Sequence, residues 1–459
     1  MTADYDAVIV GGGPAGLTAS LVLAQAGARV AILDEQTELG GQYFKRRHGQ
    51  VLERHGDFRP AGTKLIESVR RAGVECLTGH LVWGVQDGDL WTSRVEDGEL
   101  GRVRGRVTLV ASGAYEKTIP FPGWTLPGVC TPGCALHFAT VDRVRVGERV
   151  LVAGSGPFLL PVACSLLEVG ASVIAVLETT HSYRLSTTNL AAVTYLKRMR
   201  ELAQYLGTLC RHRVPIRQGW RVLEASGSGH VERIRVSSDR GQIEEIKVDA
   251  LCVGYGFRPS TEVPRLLGVE CRLDPVSNDL VPVIDDFGRT TTAGLYVAGE
   301  VSGIGGVDLA LTSGHLVGVA MAMDLGLVSQ SSTSTVARLL RTQARLRKFN
   351  LLTARLFSSD DGFRSIADDT VVCRCEGVTA GTIRRASLKG WNDLQAVKGF
   401  TRAGMGPCQG RECGAAVARL VADATGSAVE AFPARMPIKP ISVPSDGILM
   451  TSPQQAGPL

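Results

Sequence analysis

Apolar residues form short continuous runs in the N-terminal half of the chain, and each run leads through glycines into a helical segment. Residues 7–10 read AVIV, the pattern of a strand buried on both faces of a parallel sheet. A helix is predicted over residues 14–25, and a second strand over 29–33 ends at Asp34. Strand, glycine turn, helix and strand follow one another again in residues 148–179. The pattern predicts an α/β protein with two units of the kind that holds a dinucleotide.

The pattern changes after residue 330. Residues 335–357 predict an amphipathic basic helix, and the sequence SSDDGF that follows ends it. A segment from 369 to 425 comes next, with Thr379 as the expected N-cap of a helix. Residues 430–459 are rich in proline and show no periodicity, so we expect them to run as an extended tail across a surface.

Composition and charge exclude some classes of function. The formal net charge is +5 over 459 residues without a dense run of Lys and Arg, which argues against a nucleic-acid partner. Short basic stretches at 45–48 and 102–106 are interpreted as solvated faces. We expect no signal peptide and no membrane segment, because the first residues are acidic and no apolar run reaches about 18 residues. Eleven cysteines in such a chain indicate a reducing, cytoplasmic compartment.

Gly11, Gly13 and Gly16 form the spacing G-x-G-x-x-G between the first strand and the first helix. The first glycine permits the turn, the second lets a pyrophosphate approach the backbone, and the third lets helix and strand pack closely. The N-terminus of the helix then points at the phosphates. Asp34 lies 18 positions after Gly16, where an acid bonds the ribose hydroxyls of a dinucleotide.

Three further segments identify the ligand class. They are ELGGQY at 38–43, VTLVASGAYEKTIPFPG at 107–123 and TTTAGLYVAGEVSG at 290–303. Together they resemble, over about residues 4–325, the flavoproteins with two dinucleotide-binding domains, which include thioredoxin reductase and glutathione reductase. That resemblance implies an FAD site formed by Gly11, Gly13, Pro14, Ala15, Gly16, Asp34, Glu35, Gly41, Gln42, Ser112, Gly113, Gly299 and Glu300. The family usually has Thr at Ser112 and Asp at Glu300, so another adenine nucleotide is the alternative occupant.

The second glycine turn, Gly154 and Gly156, carries Leu159 where the first turn has its third glycine, and Phe158 precedes it. In the resembled family this domain binds NAD(P)H. Bulky residues at these positions crowd the helix against the strand, so we expect a retained Rossmann fold without a working nicotinamide site; a working site is the alternative. The family's redox dithiol is missing from its usual places. We interpret Cys130 and Cys134 as structural, and the isolated cysteines as small buried hydrophobes, namely Cys76, Cys164, Cys210, Cys252 and Cys271.

Four cysteines near the C-terminus follow the spacing C-x-C-x32-C-x4-C. Thiolates this closely grouped suit either a zinc ion or an iron–sulfur cluster, and glycine-rich turns around them offer N–H groups to cluster sulfides. The segment VCRCEGVT…GMGPCQGREC resembles the bacterioferritin-associated-ferredoxin-like module, a small helical domain with a 2Fe-2S cluster. The resemblance implies the ligands Cys373, Cys375, Cys408 and Cys413.

A flavoprotein fold joined to this module resembles the large alpha subunits of heteromeric amine and amino-acid dehydrogenases. The group includes opine oxidase, proline and hydroxyproline dehydrogenases, hydrogen cyanide synthase and part of the sarcosine oxidase alpha chain. The segments PFPGWTLPGV at 120–129 and ARMPIKPI at 434–441 fit it. The resemblance implies a partner beta subunit that carries its own FAD and oxidises a C–N bond. In some members an FMN lies at the interface or a small ferredoxin-like subunit is added.

We therefore expect an electron-relaying subunit without catalytic residues of its own, which passes electrons to a downstream acceptor and contacts a membrane only through its complex. The alternatives are a self-sufficient NAD(P)H reductase and a redox-sensing scaffold. The expected domains are the FAD domain (1–118 and 256–330), the second Rossmann domain (119–255), a helical linker (331–367), the 2Fe-2S domain (368–425) and an extended tail (426–459).

Overall fold

A computed structural model of the chain describes residues 3–45, 59–181, 196–274, 277, 279–328, 333–357, 366–391, 393–426, 429 and 432–442. The basic residues 46–48, the SSDDGF segment and residues 443–459 of the tail lie outside this part. The described chain contains two five-stranded parallel sheets with covering helices, two three-stranded antiparallel sheets and one small helical unit. The predicted α/β class is confirmed.

The helices are α1 Pro14–Gln25, α2 Arg59–Arg71, α3 Pro132–His137, α4 Leu159–Glu168, α5 Leu196–Arg211, α6 Glu262–Leu266, α7 Gly306–Asp324, α8 Thr333–Leu356, α9 Ala380–Leu388, α10 Leu394–Thr401 and α11 Gly414–Thr425. A π-helical turn follows α3 at Phe138–Asp142, and a 3-10 turn lies at Gly299–Ser302.

The strands are β1 Tyr5–Val10, β2 Val30–Asp34, β3 Glu75–Thr78, β4 His80–Gln86, β5 Asp89–Arg94, β6 Leu100–Val103, β7 Gly105–Val110, β8 Ala114–Glu116, β9 Val129–Cys130, β10 Arg149–Gly154, β11 Ser172–Glu178, β12 Ile216–Gln218, β13 Trp220–Ser226, β14 Arg233–Ser238, β15 Ile243–Lys247, β16 Ala250–Gly254, β17 Phe257–Pro259, β18 Cys271–Leu273, β19 Leu280–Pro282, β20 Leu295–Val297, β21 Val371–Cys373 and β22 Val378–Thr379.

The first sheet has the order β20-β7-β1-β2-β3 and is parallel throughout. Ala7 pairs with Val30 on one side and with Val107 on the other, so β1 is the central strand. The carboxyl ends of β1, β2 and β7 therefore meet at one edge, where the glycine turn begins. This is the edge at which open α/β sheets bind their ligands.

Helix α7 packs across α1 through small residues. A Cβ added at Gly314 would lie 2.3 Å from the carbonyl oxygen of Ala15, so the two helices approach more closely than a side chain would allow. An 18-residue window of α7 has a mean hydropathy of 1.3 and is long and apolar enough to cross a membrane by those two measures alone. The window is not an uninterrupted apolar run, because it contains Thr312, Ser313 and His315. Half of that window is buried inside the fold, as suits a core helix.

The second sheet has the order β12-β11-β10-β16-β9, with the antiparallel strands β13, β14 and β15 beside it. Its glycine turn lies at the carboxyl end of β10, as in the first sheet. Strand β8, which follows the first sheet, pairs with β17, which follows the second. The two units are therefore joined through this two-stranded link.

The helical unit is formed by α9, α10, α11 and the hairpin of β21 and β22. Its core also contains Ile119, from the connection between the two sheets, and Phe432, from the tail. Trp124 Nε1 donates a hydrogen bond of 2.6 Å to the carbonyl oxygen of Val371, and Thr118 Oγ1 donates one of 3.0 Å to Glu412. The unit is thus packed against the connection between the two sheets.

Candidate cofactor sites

The first glycine turn forms an open cradle at the end of β1. Gly11 has φ +107°, and a Cβ there would lie 2.4 Å from the carbonyl oxygen of Ala111. Helix α1 begins with Pro14 directly after Gly13, which has extended backbone and no side chain that caps the helix. The first N–H groups of α1 therefore face the cavity as an anion site.

Gly16 differs in location from the other residues that were predicted to bind the nucleotide. Twelve of the thirteen line one cavity of about 1740 Å³, whereas Gly16 lies behind it. A Cβ at Gly16 would lie 2.0 Å from the carbonyl oxygen of Gly11. Its absent side chain lets α1 approach β1, which is the packing function expected of the third glycine.

Asp34, at the end of β2, is 8% exposed and held by two main-chain N–H groups. Its Oδ2 accepts a hydrogen bond of 2.7 Å from Gly12, and its Oδ1 accepts one of 2.8 Å from Gln36. Burial raises the pKa of this carboxyl, and the two N–H donors oppose the rise. Each oxygen has a further lone pair, so the fixed carboxylate can also accept from a ribose hydroxyl in the cavity.

Glycines from distant segments close around the cradle. A Cβ at Gly41 would lie 2.9 Å from the Cα of Gly13, and one at Gly299 would lie 2.9 Å from the Cβ of Ala15. Glu300 accepts a hydrogen bond of 3.1 Å from Gly306 N–H, and burial raises the pKa of its carboxyl. The longer acid is therefore held by the start of α7 while it lines the cavity. The backbone surfaces, the acid at the ribose position and the cavity fit an FAD molecule.

The second cradle differs from the first at the third glycine position, as the sequence predicted. Pro157, Phe158 and Leu159 correspond in position to Pro14, Ala15 and Gly16. Leu159 is buried in the core, and α4 begins at Leu159 itself, two residues later than the equivalent start of α1 at Pro14. Because a Cβ at the third glycine position collides with the turn in the first cradle, the leucine requires the helix to start further along. The N–H groups of the turn are then no longer aligned along a helix axis toward a phosphate.

The chain itself contacts this second cradle, whose Ser155, Gly156 and Phe158 line the same cavity as the first. Ser155 Oγ donates a hydrogen bond of 2.7 Å to the carbonyl oxygen of Phe357, the residue just after α8. The ring of Phe158 lies edge-on to that of Phe257 at 5.2 Å. Gly156 N–H donates to Glu178 at 3.0 Å. The sequence placed α8 in a linker and did not predict this contact.

The four C-terminal cysteines come together as two contacting pairs. Cys373 hydrogen-bonds with Cys413, and Cys375 with Cys408, so each pair joins one cysteine from either end of the segment. The pairing differs from the sequence order, in which Cys373 stands beside Cys375. The bond from Cys413, followed by backbone N–H groups that include Gly404, lowers the pKa of Cys373 to about 6 against the effect of burial.

This two-plus-two arrangement bears on the kind of metal site. A zinc site needs four ligands around one ion, whereas four cysteines hold the two irons of a 2Fe-2S cluster. Gly404 N–H lies 3.5 Å from Cys373 Sγ, and a Cβ at Gly406 would lie 2.2 Å from the Cβ of Cys375. The donor set and its glycine-lined surroundings fit the cluster.

The four cysteines differ in their exposure to solvent. Cys375 is exposed, whereas Cys373 and Cys413 are buried. Arg411 donates a hydrogen bond of 3.3 Å to the carbonyl oxygen of Cys408, and its Nε lies 3.5 Å from a carboxylate oxygen of Glu262.

Arg411 also contacts residues that form the wall of the cavity. Its guanidinium lies 5.9 Å from the ring centroid of Tyr115, whose hydroxyl accepts a hydrogen bond of 2.8 Å from Ser260. Glu262, Tyr115 and Ser260 all line the cavity. Ser112, one of the predicted nucleotide residues, donates to the carbonyl oxygen of Ser260 at 2.8 Å. A continuous set of polar contacts thus connects the cysteine loop with the nucleotide cavity, and sequence reasoning missed every member except Ser112.

Only some of the other cysteines have the burial that the sequence predicted. Cys130 Sγ lies 3.7 Å from Cys252 Sγ across the paired strands β9 and β16. Cys164 is buried as expected, but Cys210 is exposed on α5, so its interpretation as a buried hydrophobe is wrong. Cys134 is exposed and lines the cavity.

Comparison with known proteins matches both halves of this arrangement. Residues 5–323 match the family described as pyridine nucleotide-disulphide oxidoreductase, and residues 371–423 match the BFD-like 2Fe-2S binding domain. The opine oxidase A-type subunit of Rhizobium meliloti is 32% identical over 458 residues, which cover 95% of this chain and 86% of that protein. Hydrogen cyanide synthase subunit HcnB of Pseudomonas aeruginosa is 32% identical over 430 residues, which cover 88% of this chain and 90% of that protein. The crystal structure of L-proline dehydrogenase from P. horikoshii superposes with a TM-score of 0.68 at 24% identity and covers 97% of this chain and 79% of that chain.

The fold and the two sites define a flavoprotein with an attached iron–sulfur unit. The chain belongs to the pyridine nucleotide-disulphide oxidoreductase family and, within it, to the group that contains the A-type subunits of opine oxidase. It is an oxidoreductase subunit with FAD and a 2Fe-2S cluster as cofactors. The resemblance expected from the sequence is confirmed.

Proposed function

We propose that this chain relays electrons within a heteromeric dehydrogenase that oxidises the C–N bond of an amino acid or an opine. A partner beta subunit with its own FAD carries out the oxidation. The present chain receives the electrons and passes them through its 2Fe-2S cluster to an acceptor. It contributes cofactor sites and a path between them, and no group that removes a proton from the substrate.

The observation that carries the proposal is the contrast between the two cradles. Both cradles line the cavity, but in the first α1 starts directly after Gly13. The second has a displaced helix start at Leu159, and its Ser155 is bound to the chain's own Phe357. A subunit that keeps its flavin cradle, but whose second cradle lacks a helix start beside the glycine turn, receives its electrons from another source.

The names of the relatives support a partner. The similar proteins are named as subunits, one of opine oxidase and the other of hydrogen cyanide synthase. The solved structure that superposes over most of the chain is named L-proline dehydrogenase. We therefore place this chain in a cytoplasmic complex with an amino-acid-oxidase-like beta subunit, where any small ferredoxin-like subunit, interfacial FMN or membrane contact belongs to the assembly.

We assign the cofactor contacts to individual residues. The glycine turn and the start of α1 hold the pyrophosphate of FAD, Asp34 bonds its ribose, and Gly299 and Glu300 approach its ribityl chain. Cys373, Cys375, Cys408 and Cys413 hold the cluster, which supplies one-electron transfer when bound. Arg411 keeps the cysteine loop against the wall of the FAD cavity through Glu262. The exposed Cys375 marks the side from which a redox partner approaches.

The test is an activity assay of the chain without its partner. Purified chain with both cofactors is given a panel of amino acids and opines together with an artificial electron acceptor. We expect no turnover, because the substrate is oxidised on the other subunit. The same assay on the chain co-produced with a neighbouring amino-acid-oxidase-like protein provides the positive control. Robust turnover by the isolated chain would contradict the proposal.

A second candidate is a self-sufficient NAD(P)H-dependent reductase that passes electrons from FAD to the cluster. The match to the pyridine nucleotide-disulphide oxidoreductase family favours it. Leu159 and the Ser155–Phe357 contact count against it, and reduction by NADH or NADPH distinguishes the two candidates.

A further inference from the structure

The described end of the tail, residues 432–442, runs from the iron–sulfur unit to the nucleotide cavity, and we call it the strap. The sequence predicted an extended tail and assigned it no part in cofactor binding. The strap contacts both cofactor sites through side chains only seven positions apart in the sequence, Phe432 and Lys439.

Phe432 fixes the strap in the iron–sulfur unit. Its side chain is 9% exposed and belongs to the core of that unit. A Cβ added at Gly410 would lie 2.7 Å from its ring, and one added at Gly404 would lie 3.0 Å away. Its carbonyl oxygen accepts a hydrogen bond of 2.7 Å from Arg265. Because Gly404 also donates to Cys373, the phenylalanine ring supports the backbone that surrounds the cluster.

The middle of the strap follows the edge of β4. Val85 N–H donates a hydrogen bond of 3.1 Å to the sulfur of Met436, and Ile438 N–H donates one of 2.9 Å to the carbonyl oxygen of Trp83. A Cβ added at Gly84 would lie 2.9 Å from that sulfur. The glycine therefore allows the strap to lie directly on the strand.

The far end of the strap reaches the cavity. Ile438 is 5% exposed and packs in an apolar cluster with Leu33, Val82 and Val10. The ammonium of Lys439 forms an ion pair with the carboxylate of Glu35, the residue after Asp34. Both Ile438 and Lys439 line the cavity beside the end of β2. This is the end at which Asp34 would hold the adenosine ribose.

We propose that the strap is a wall of the FAD site, in which Ile438 and Lys439 hold the adenosine end and Phe432 ties that wall to the iron–sulfur unit. The inference rests on the proposed placement of FAD in the first cradle. FAD is anionic, so two adjacent carboxylates at its binding site are unfavourable, and Lys439 offsets the charge of Glu35. Burial of Ile438 in the cluster with Leu33 and Val82 holds the strap beside the adenosine end, so its loss should loosen that wall. The strap makes retention of FAD depend on the packing of Phe432 in the core of the iron–sulfur unit.

The test measures release of FAD from the full-length protein loaded with both cofactors. Released FAD is followed by its fluorescence after dilution. We expect about tenfold faster release from Ile438→Ala, because a buried side chain is lost, and about threefold faster release from Lys439→Ala, because the ion pair is partly exposed. Lys439→Arg should restore the wild-type rate. Ser442→Ala is the matched control, since Ser442 lies exposed on the same strap and the change keeps its Cβ.

A parallel measurement of cluster absorption separates local from global effects. In Ile438→Ala and Lys439→Ala the cluster should stay intact while FAD leaves faster. Phe432→Ala should shorten the lifetime of the cluster in air and speed FAD release in the same protein. Wild-type FAD release from both Ile438→Ala and Lys439→Ala would overturn the proposal. Release of FAD does not depend on the partner subunit, so this outcome is independent of whether the relay function holds.

Discussion

Ser155 and Phe357 are 202 residues apart in the sequence and are joined by a hydrogen bond of 2.7 Å from the serine hydroxyl to the phenylalanine carbonyl oxygen. The bond places the end of α8 against the glycine turn of the second cradle, at the position where a nicotinamide dinucleotide would place its phosphates. This contact and the late start of α4 at Leu159 both set the second glycine turn apart from the first, where α1 begins directly after Gly13.

The late helix start in the second cradle predicts that the flavin does not react with nicotinamide nucleotides. When the FAD-loaded chain is mixed anaerobically with excess NADH or NADPH, the flavin absorption near its visible maximum should stay unchanged. Dithionite should bleach the same sample, which shows that the flavin is reducible. Rapid bleaching by either nucleotide would favour the self-sufficient reductase.

Gly16→Ala should weaken FAD binding while the fold remains. The new Cβ would lie 2.0 Å from the carbonyl oxygen of Gly11, so α1 must move away from β1 and the phosphate cradle is distorted. Overpacking of this kind costs about 1–3 kcal/mol, which corresponds to about tenfold weaker binding or more. Titration of the FAD-free protein with FAD measures the effect.

The matched control for that glycine is Gly207→Ala. Gly207 lies exposed in α5, and a Cβ there would meet nothing within 4 Å. Alanine is the better helix former, so this variant should be as stable as the wild type or up to about 1 kcal/mol more stable, with unchanged FAD affinity. Equal affinities in the two variants would show that the third glycine has no packing function.

Cys408→Ala should abolish the visible absorption of the cluster and leave FAD bound. The cysteine lies in a loop of the iron–sulfur unit, whereas the cradle is built on the first sheet. Cys210→Ala, at an exposed position on α5, should change neither cofactor. Loss of FAD together with the cluster in Cys408→Ala would indicate that the two units fold as one.

Glu300→Gln should stabilise the FAD-free protein at neutral pH. Burial raises the pKa of Glu300 above its ordinary 4.5, so the folded state binds the proton more tightly than the unfolded state does. The carboxylate therefore adds no penalty at pH values below about 4.5, and its penalty grows as the pH rises through the folded-state pKa. The glutamine keeps an acceptor for Gly306 N–H without the charge.

Thermal unfolding at two pH values measures this effect. The midpoint of Glu300→Gln should exceed that of the wild type at pH 7.5, and the difference should shrink toward pH 4.5. Glu67→Gln, an exposed position on α2, is the control and should show no such trend. A difference that is constant with pH would contradict the assignment to the buried charge.

The sequence predicted the sites that are continuous or follow a spacing rule. Gly11, Gly13, Gly16 and Asp34 belong to one local pattern, and twelve of the thirteen predicted nucleotide residues line the cavity. What it missed depends on contacts between distant segments. Arg258 donates to the carbonyl oxygen of Arg411 across 153 positions, and Lys439 meets Glu35 across 404 positions. Periodicity and spacing report which residues lie on one element, and they carry no signal for such contacts.

The cysteines illustrate the same limit. Their spacing indicated a common site, yet the contacts join Cys373 with Cys413 and Cys375 with Cys408, each from opposite ends of the segment. The helices α9, α10 and α11 bring those ends together, and the local sequence around each cysteine contains no record of its partner.

The central claim is that electrons reach this chain from a partner that oxidises the substrate. The most direct test is electron paramagnetic resonance of the cluster after anaerobic addition of amino-acid or opine substrate, with and without the co-produced beta subunit. We predict the signal of the reduced 2Fe-2S cluster only when the partner is present. A signal of equal intensity from the isolated chain, with substrate or with NADPH as the only reductant, would contradict the account.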